Sequence, residues 1–194
     1  GRVVGDTSLD TLFVDQMYIR ADTPAGITGA SLTNPGDAGA VNGVDADDQD
    51  GDGFHDLVVA TANGNVFKYM GSGGGLQTPS AAFYSLSPAR SILGVRFAQL
   101  SGTQTGLEIA FAFSTTVRVI TGFGSSGIVV KDTLPAYGSG NAIFSFGVGD
   151  VNGDGWDDVV VGTGGTKVGE IWFWANTNHA LAWTNPIQVD NVGV

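Results

Sequence analysis

Nine residues constrain this chain more than any other stretch: Asp150-Val151-Asn152-Gly153-Asp154-Gly155-Trp156-Asp157-Asp158. Oxygen-bearing side chains stand at positions one, three, five and nine, and glycines at four and six. The order recurs at Asp48-Gln49-Asp50-Gly51-Asp52-Gly53-Phe54-His55-Asp56. Carboxylates crowded this closely repel one another in a folded loop unless a cation stands between them. Alternate side chains of a tight loop can converge on one point, and a hard cation such as calcium takes about six to eight oxygens there. A pair of solvated Asp/Gly turns is the bland alternative, and it leaves the crowding unexplained. The expected ligands are Asp48, Asp50, Asp52, the Phe54 carbonyl and Asp56 in one loop, and Asp150, Asn152, Asp154, the Trp156 carbonyl and Asp158 in the other. Two calcium ions are therefore expected.

The loops begin like an EF-hand but end differently. An EF-hand needs a Glu at position twelve and a helix on each side. Position twelve is Val59 in one copy and Val161 in the other. The flanks, Ile143 to Val148, Val159-Val160-Val161 and Leu57-Val58-Val59, are β-branched and aromatic with strand-like character. Each loop is thus expected to join two strands, with the ninth-position Asp doing the work of the EF-hand Glu.

Composition agrees with an all-β chain. Of 19 acidic residues only Glu108 and Glu170 are Glu. Asp avoids helix interiors, whereas Glu favours them. The 31 glycines suit many short strands joined by tight turns. A net charge of −11 argues against nucleic acid and against an anionic membrane surface as partners. No run is apolar enough to insert in a membrane. There is no cysteine, so thiolate metal sites and disulfides are excluded. Calcium cages suit the outside of a cell, so a secreted or cell-surface location is expected. No signal peptide is visible; the chain begins at Gly1 and reads as a mature or excised piece.

The two loops lie 102 residues apart, and halving that interval points to position 99. There Gln99, Ser101 and Thr103 replace three carboxylates, one residue is inserted, and Glu108 precedes the apolar run Ile109 to Phe113. This reads as a degenerate unit that keeps the turn and has lost the ion. A fourth trace, with Asp6, Ser8, Asp10 and Asp15, is a candidate third ion site in a compressed first unit. The repeats run approximately 1–42, 43–93, 94–143 and 144–194 within a single domain. Asn63-Gly64 between two apolar runs signals a hairpin, and Ala82 to Tyr84 reads as an outer strand. Four strands in about 50 residues is the scale of one propeller blade.

With these residues in hand, the chain resembles the FG-GAP repeat family (integrin α-type, VCBS-like). Gly149 to Gly162 matches the family's pattern of acidic loop and aliphatic strand closely, and Asp48 to Ala60 nearly as well. The resemblance implies a β-propeller of about four four-stranded blades, with calcium in loops between the first two strands of a blade. Such propellers usually have about seven blades, so this sequence is expected to be a segment of a larger one. It also implies a non-catalytic, calcium-stabilised module for extracellular binding or adhesion, with a protein or glycan ligand. The alternatives are a subunit of a surface layer, pilus or filament, packed on neighbouring subunits, and a glycan-active enzyme. No catalytic constellation stands out. His55 fills position eight of a loop and should face solvent, and His179 lies in a polar turn. Trp172, Trp174 and Trp183 are expected to fill space between blades rather than stack sugars.

Overall fold

Runs of β-branched and aromatic residues interrupted by Asp, Asn and Gly leave little choice but short strands and tight turns. The computed structural model describes residues 10–13, 18–23, 26–31, 37–79, 81–101, 106–121, 129–132, 141–164, 169–177 and 182–192. These residues are all β, without a helix among them, and every strand pair is antiparallel.

The chain divides into two units, 1–97 and 98–194. The first holds a three-stranded sheet of β1 (Asp10–Phe13), β2 (Tyr18–Thr23) and β3 (Gly26–Ser31). It also holds a four-stranded meander of β4 (Val41–Asp47), β5 (Asp56–Thr61), β6 (Asn65–Tyr69) and β7 (Tyr84–Ser85). The division falls inside β8 (Gly94–Ala98). A third sheet has the order β11-β10-β9-β8, with β9 (Glu108–Phe113), β10 (Thr116–Thr121) and β11 (Val129–Asp132). The fourth has the order β12-β13-β14-β17, from β12 (Ala142–Gly149), β13 (Asp158–Gly164), β14 (Gly169–Trp174) and β17 (Ile187–Val192). Between its last two strands, β15 (Asn176–Thr177) and β16 (Ala182–Trp183) form a small ribbon.

The expected hairpin forms at Asn63-Gly64, where Gly64 takes a φ of 84°. The outer strand lies slightly later than expected, at Tyr84–Ser85, although the Phe83 N–H still bonds to the Val66 carbonyl at 2.8 Å. Central strands β5 and β9 are buried along their whole length. In the second unit, Ala112 and Val117 share a cluster with Ile143, Val159, Val161, Trp172 and Trp174. Both tryptophans are therefore core, as expected, while Ile171 and Phe173 take the half-buried opposite face.

The first strands of the second and fourth sheets share an irregularity. The register of β4 on β5 shifts between Val41 and Gly43, and that of β12 on β13 between Ile143 and Ser145. The residues at the bulges differ in kind. The Asn42 amide donates to the Ser91 hydroxyl and the Ile92 carbonyl, at 2.9 and 2.8 Å, whereas Phe144 is 72% exposed.

Candidate metal centres

Each acidic loop leaves the first strand of its sheet and enters the second. The pairs Asp47–Asp56 and Gly149–Asp158 close its base. Within that frame the backbone folds onto the first aspartate. Asp48 Oδ1 accepts the N–H groups of Gly51 and Asp52, at 2.8 and 3.1 Å, and its Oδ2 accepts that of Gly53 at 2.9 Å. Asp150 repeats this with Gly153, Asp154 and Gly155, at 2.7, 3.1 and 2.9 Å. Positions three and five also match. Asp50 Oδ1 and Asn152 Oδ1 accept the N–H of the fifth residue, at 3.2 and 2.8 Å. Asp52 Oδ1 and Asp154 Oδ1 accept that of the seventh, Phe54 or Trp156, at 2.8 and 3.0 Å.

The inward aim of these N–H groups requires the glycines. Gly53 has a φ of 90° and Gly155 one of 88°, in the region where a side chain is strained. A Cβ at either would meet nothing within 4 Å, so conformation rather than space demands glycine there.

Asp48, Asp50 and Asp52 each offer one carboxylate oxygen, and these atoms lie within 4.8 Å of one another. Oxygens bound to one calcium at about 2.3–2.6 Å are at most about 5 Å apart. The trio therefore fits a single hard cation on geometry as well as on donor chemistry. In the second loop the corresponding residues are Asp150, Asn152 and Asp154, all exposed, with the Asn152 amide donating to Asp154 Oδ2 at 3.1 Å. Phe54 and Trp156, expected to offer carbonyls, are half-buried.

The ninth-position carboxylates lie in a different environment. Asp56 is 1% exposed and Asp158 0%. Asp56 Oδ2 accepts the Gln49 N–H at 3.1 Å and its Oδ1 the Gly71 N–H at 2.7 Å. Asp158 Oδ2 accepts from Val151 and Asn152, at 3.1 and 3.3 Å, and its Oδ1 from Asn176 at 2.8 Å. Burial pushes the Asp56 carboxyl above its usual range. The N–H groups of Gly71 and Gln49 and the Lys68 charge pull it back only in part, and the Asp50 charge adds to the rise.

Several residues at these sites were not legible beforehand. Lys68 donates to Gln49 Oε1 at 2.9 Å, and burial holds its ammonium below the usual lysine range against the pull of Asp56 and Asp50. Asp37, in what reads as a plain polar loop, accepts four hydrogen bonds. Gly39 N and Asn63 Nδ2 donate to one oxygen at 2.7 and 2.6 Å; Thr61 Oγ1 and Asn65 Nδ2 donate to the other at 2.6 and 2.9 Å. The alternation Thr61, Asn63, Asn65 around an Asn-Gly turn was the available signal. Asn176 is fully buried and donates to the Leu100 carbonyl at 2.8 Å; nothing in its sequence context announces this.

One expectation is corrected. His55 does not face solvent freely: it is half-buried, and its Nδ1 is shut away without a hydrogen-bond partner among the described residues. The backbone beside it is tightly packed: a Cβ at Gly71 would lie 2.4 Å from the His55 carbonyl oxygen. Asp6, Asp15 and His179 lie outside the described residues, and only the backbone of Asp10 is described.

Residues 142–174 match the family model of the FG-GAP repeat. This segment is an FG-GAP repeat. The match takes in β12, the whole Asp150 loop, β13 and β14. The Asp48 loop lies outside the matched residues yet repeats the FG-GAP loop's hydrogen bonds at positions one, three and five. No curated protein matches the chain.

Proposed function

We propose that the chain is a calcium-stabilised module of extracellular binding or adhesion, built from propeller-type blades, in which calcium holds the two acidic loops. The observation that carries the reading is the meeting of three carboxylate oxygens within 4.8 Å in the Asp48 loop, in a backbone frame that the FG-GAP segment repeats. Asp48, Asp50 and Asp52 form the wall of one site. Asp150, Asn152 and Asp154 form the wall of the other. The Phe54 and Trp156 carbonyls, Asp56 and Asp158 are the remaining candidate donors. When bound, the ion supplies positive charge that cancels the repulsion among these groups. FG-GAP repeats occur in integrin-like binding modules, which supports a non-catalytic role with a protein or glycan ligand. Calorimetric titration of the metal-free chain with calcium tests the ion. Two sites are expected, and heat no greater than that of dilution would refute the reading.

A second reading, a subunit of a surface assembly, is favoured by one observation. The outward face of the fourth sheet carries Phe144, whose ring lies against Gly164, and Ile187, paired with Phe173, both strongly exposed. Packing against a neighbouring chain would take these side chains out of water. Sedimentation of the chain and of Phe144→Asp separates the readings: assembly predicts oligomers that the substitution dissolves, and a monomer in both cases would exclude it.

A further inference from the structure

The loop beginning at Gln99 lacks the carboxylates of the other two, yet its base is held in the same way. Glu108 opens β9 as Asp56 opens β5 and Asp158 opens β13, and it is 0% exposed. Its Oε2 accepts the N–H groups of Leu100 and Ser101, at 2.9 and 3.2 Å. These correspond to Val151 and Asn152, whose N–H groups meet Asp158 Oδ2. The spans differ by one residue: Leu100 to Glu108 is eight, whereas Gln49 to Asp56 and Val151 to Asp158 are seven. One added residue coincides with one added methylene, since this is the loop that carries Glu instead of Asp.

The second oxygen of Glu108 has a hydroxyl donor that the other loops lack, since Asp50 and Asn152 stand where Ser101 does. In Asp56 and Asp158 the second oxygen takes an N–H from the chain leaving the third strand, Gly71 or Asn176. In Glu108 it takes the Ser101 hydroxyl, a donor from within the loop itself. A buried carboxylate that accepts three hydrogen bonds is costly to leave unpaired.

We propose that Glu108 and Ser101 close the loop at 99–108 without an ion, and that the buried carboxylate opening the second strand is a positioning residue in all three loops. It clamps the loop base whether or not a cation is bound. Only the contrast with the other two loops rests on the calcium reading.

Amide exchange measured by NMR on the full chain, in calcium and in EDTA, tests this. Glu108→Gln removes one of the two acceptor oxygens, and exchange at Leu100 and Ser101 should quicken by about tenfold or more, the size expected of a hydrogen bond to a charged group. Glu108→Asp, which keeps the charge but shortens the arm, should do the same. Ser101→Ala should quicken it several-fold, and it carries the test if the Glu108 variants fail to fold. These effects should be equal in calcium and EDTA. In the unsubstituted chain EDTA should expose Val151 and Asn152 more than Leu100 and Ser101. Unchanged exchange in the variants overturns the proposal, as does a measurable quickening by EDTA at Leu100 as large as that at Val151. If EDTA moves none of these amides while the variants behave as expected, the calcium reading fails and the clamp stands.

Discussion

The loops at Asp48 and Asp150 have nearly the same backbone and different surroundings. Hydrogen bonds to positions one, three and five recur donor for donor. Position two is the buried Gln49 in the first loop and the exposed Val151 in the second. Lys68, opposite Val58 in the sheet, corresponds to Phe173, opposite Val160. Position eight is His55 in one and Asp157 in the other, and Asp157 ties its loop to Gln99 through reciprocal bonds of 2.7 and 3.1 Å. Loop shape is thus a local property of the nine residues, whereas the field at its centre is set by the strands around it. The Asp48 loop has the charged Asp50 at position three but a lysine beside it; the Asp150 loop has the neutral Asn152 there and no lysine at the corresponding strand position.

The largest expected effect is removal of the cation from both loops. An ion present at about 100 times its dissociation constant stabilises by about 2.7 kcal/mol per site. Two sites then shift the melting temperature by on the order of 10–20 °C in a chain of this size. Calorimetry in calcium and in EDTA measures this, and coincident melting curves would show that the shared loop shape needs no ion. Asp52→Ala and Asp154→Ala should each remove about half of the shift. A single variant that removes all of it would mean that the loops are not independent.

Asp37 offers a control, because it holds the other end of the β5–β6 hairpin with no cation proposed. Asp37→Ala strands Thr61, Asn63 and Asn65 and should cost about 1–3 kcal/mol, equally in calcium and EDTA, as read by denaturant unfolding. The same residue fixes a pH response. Burial pushes its carboxyl up, but the bonds from Thr61, Asn65, Gly39 and Asn63 outweigh burial and hold it below 3.8. A lowered folded value means that its contribution is complete above pH 3.8 and lost as pH falls through the folded value. Acid unfolding of Asp37→Ala should therefore lack part of the loss seen below pH 3.8. Identical acid profiles would remove Asp37 from the account.

Local features were the legible ones. Asp-x-Asp-x-Asp-Gly fixes its own backbone, Asn63-Gly64 fixes a hairpin, and β-branched runs fix β5 and β13, because each depends on residues within one turn or one strand. The roles of Asp37 and Asn176 depend on partners elsewhere. Asp37 reaches Thr61 across 24 residues and Asn176 reaches Leu100 across 76, so no spacing rule announces them. Nor does spacing show that Gly71, just past β6, packs against the His55 backbone. Spacing marked Asp56 and Asp158 as candidate ligands. It could not show that both are buried and already bonded to backbone N–H groups, because that follows from how the chain leaves the third strand.

The smallest effect tests the surroundings directly. Lys68 is close enough for Asp56 and Asp50 to raise its affinity for a proton, so its charge also opposes a cation held beside Asp50. Lys68→Met keeps the apolar stem and removes the charge. Calcium affinity of the Asp48 loop should then rise by about three- to tenfold, a figure limited by solvent and salt screening. The opposing influence is mechanical: Lys68 holds Gln49 by a hydrogen bond, and Gln49 in turn bonds to Asp56. If the bond matters more than the charge, affinity falls instead. Calorimetric titration in an Asp154→Ala background isolates the first loop, and repeating it at high salt separates the causes, because only the charge contribution shrinks with ionic strength.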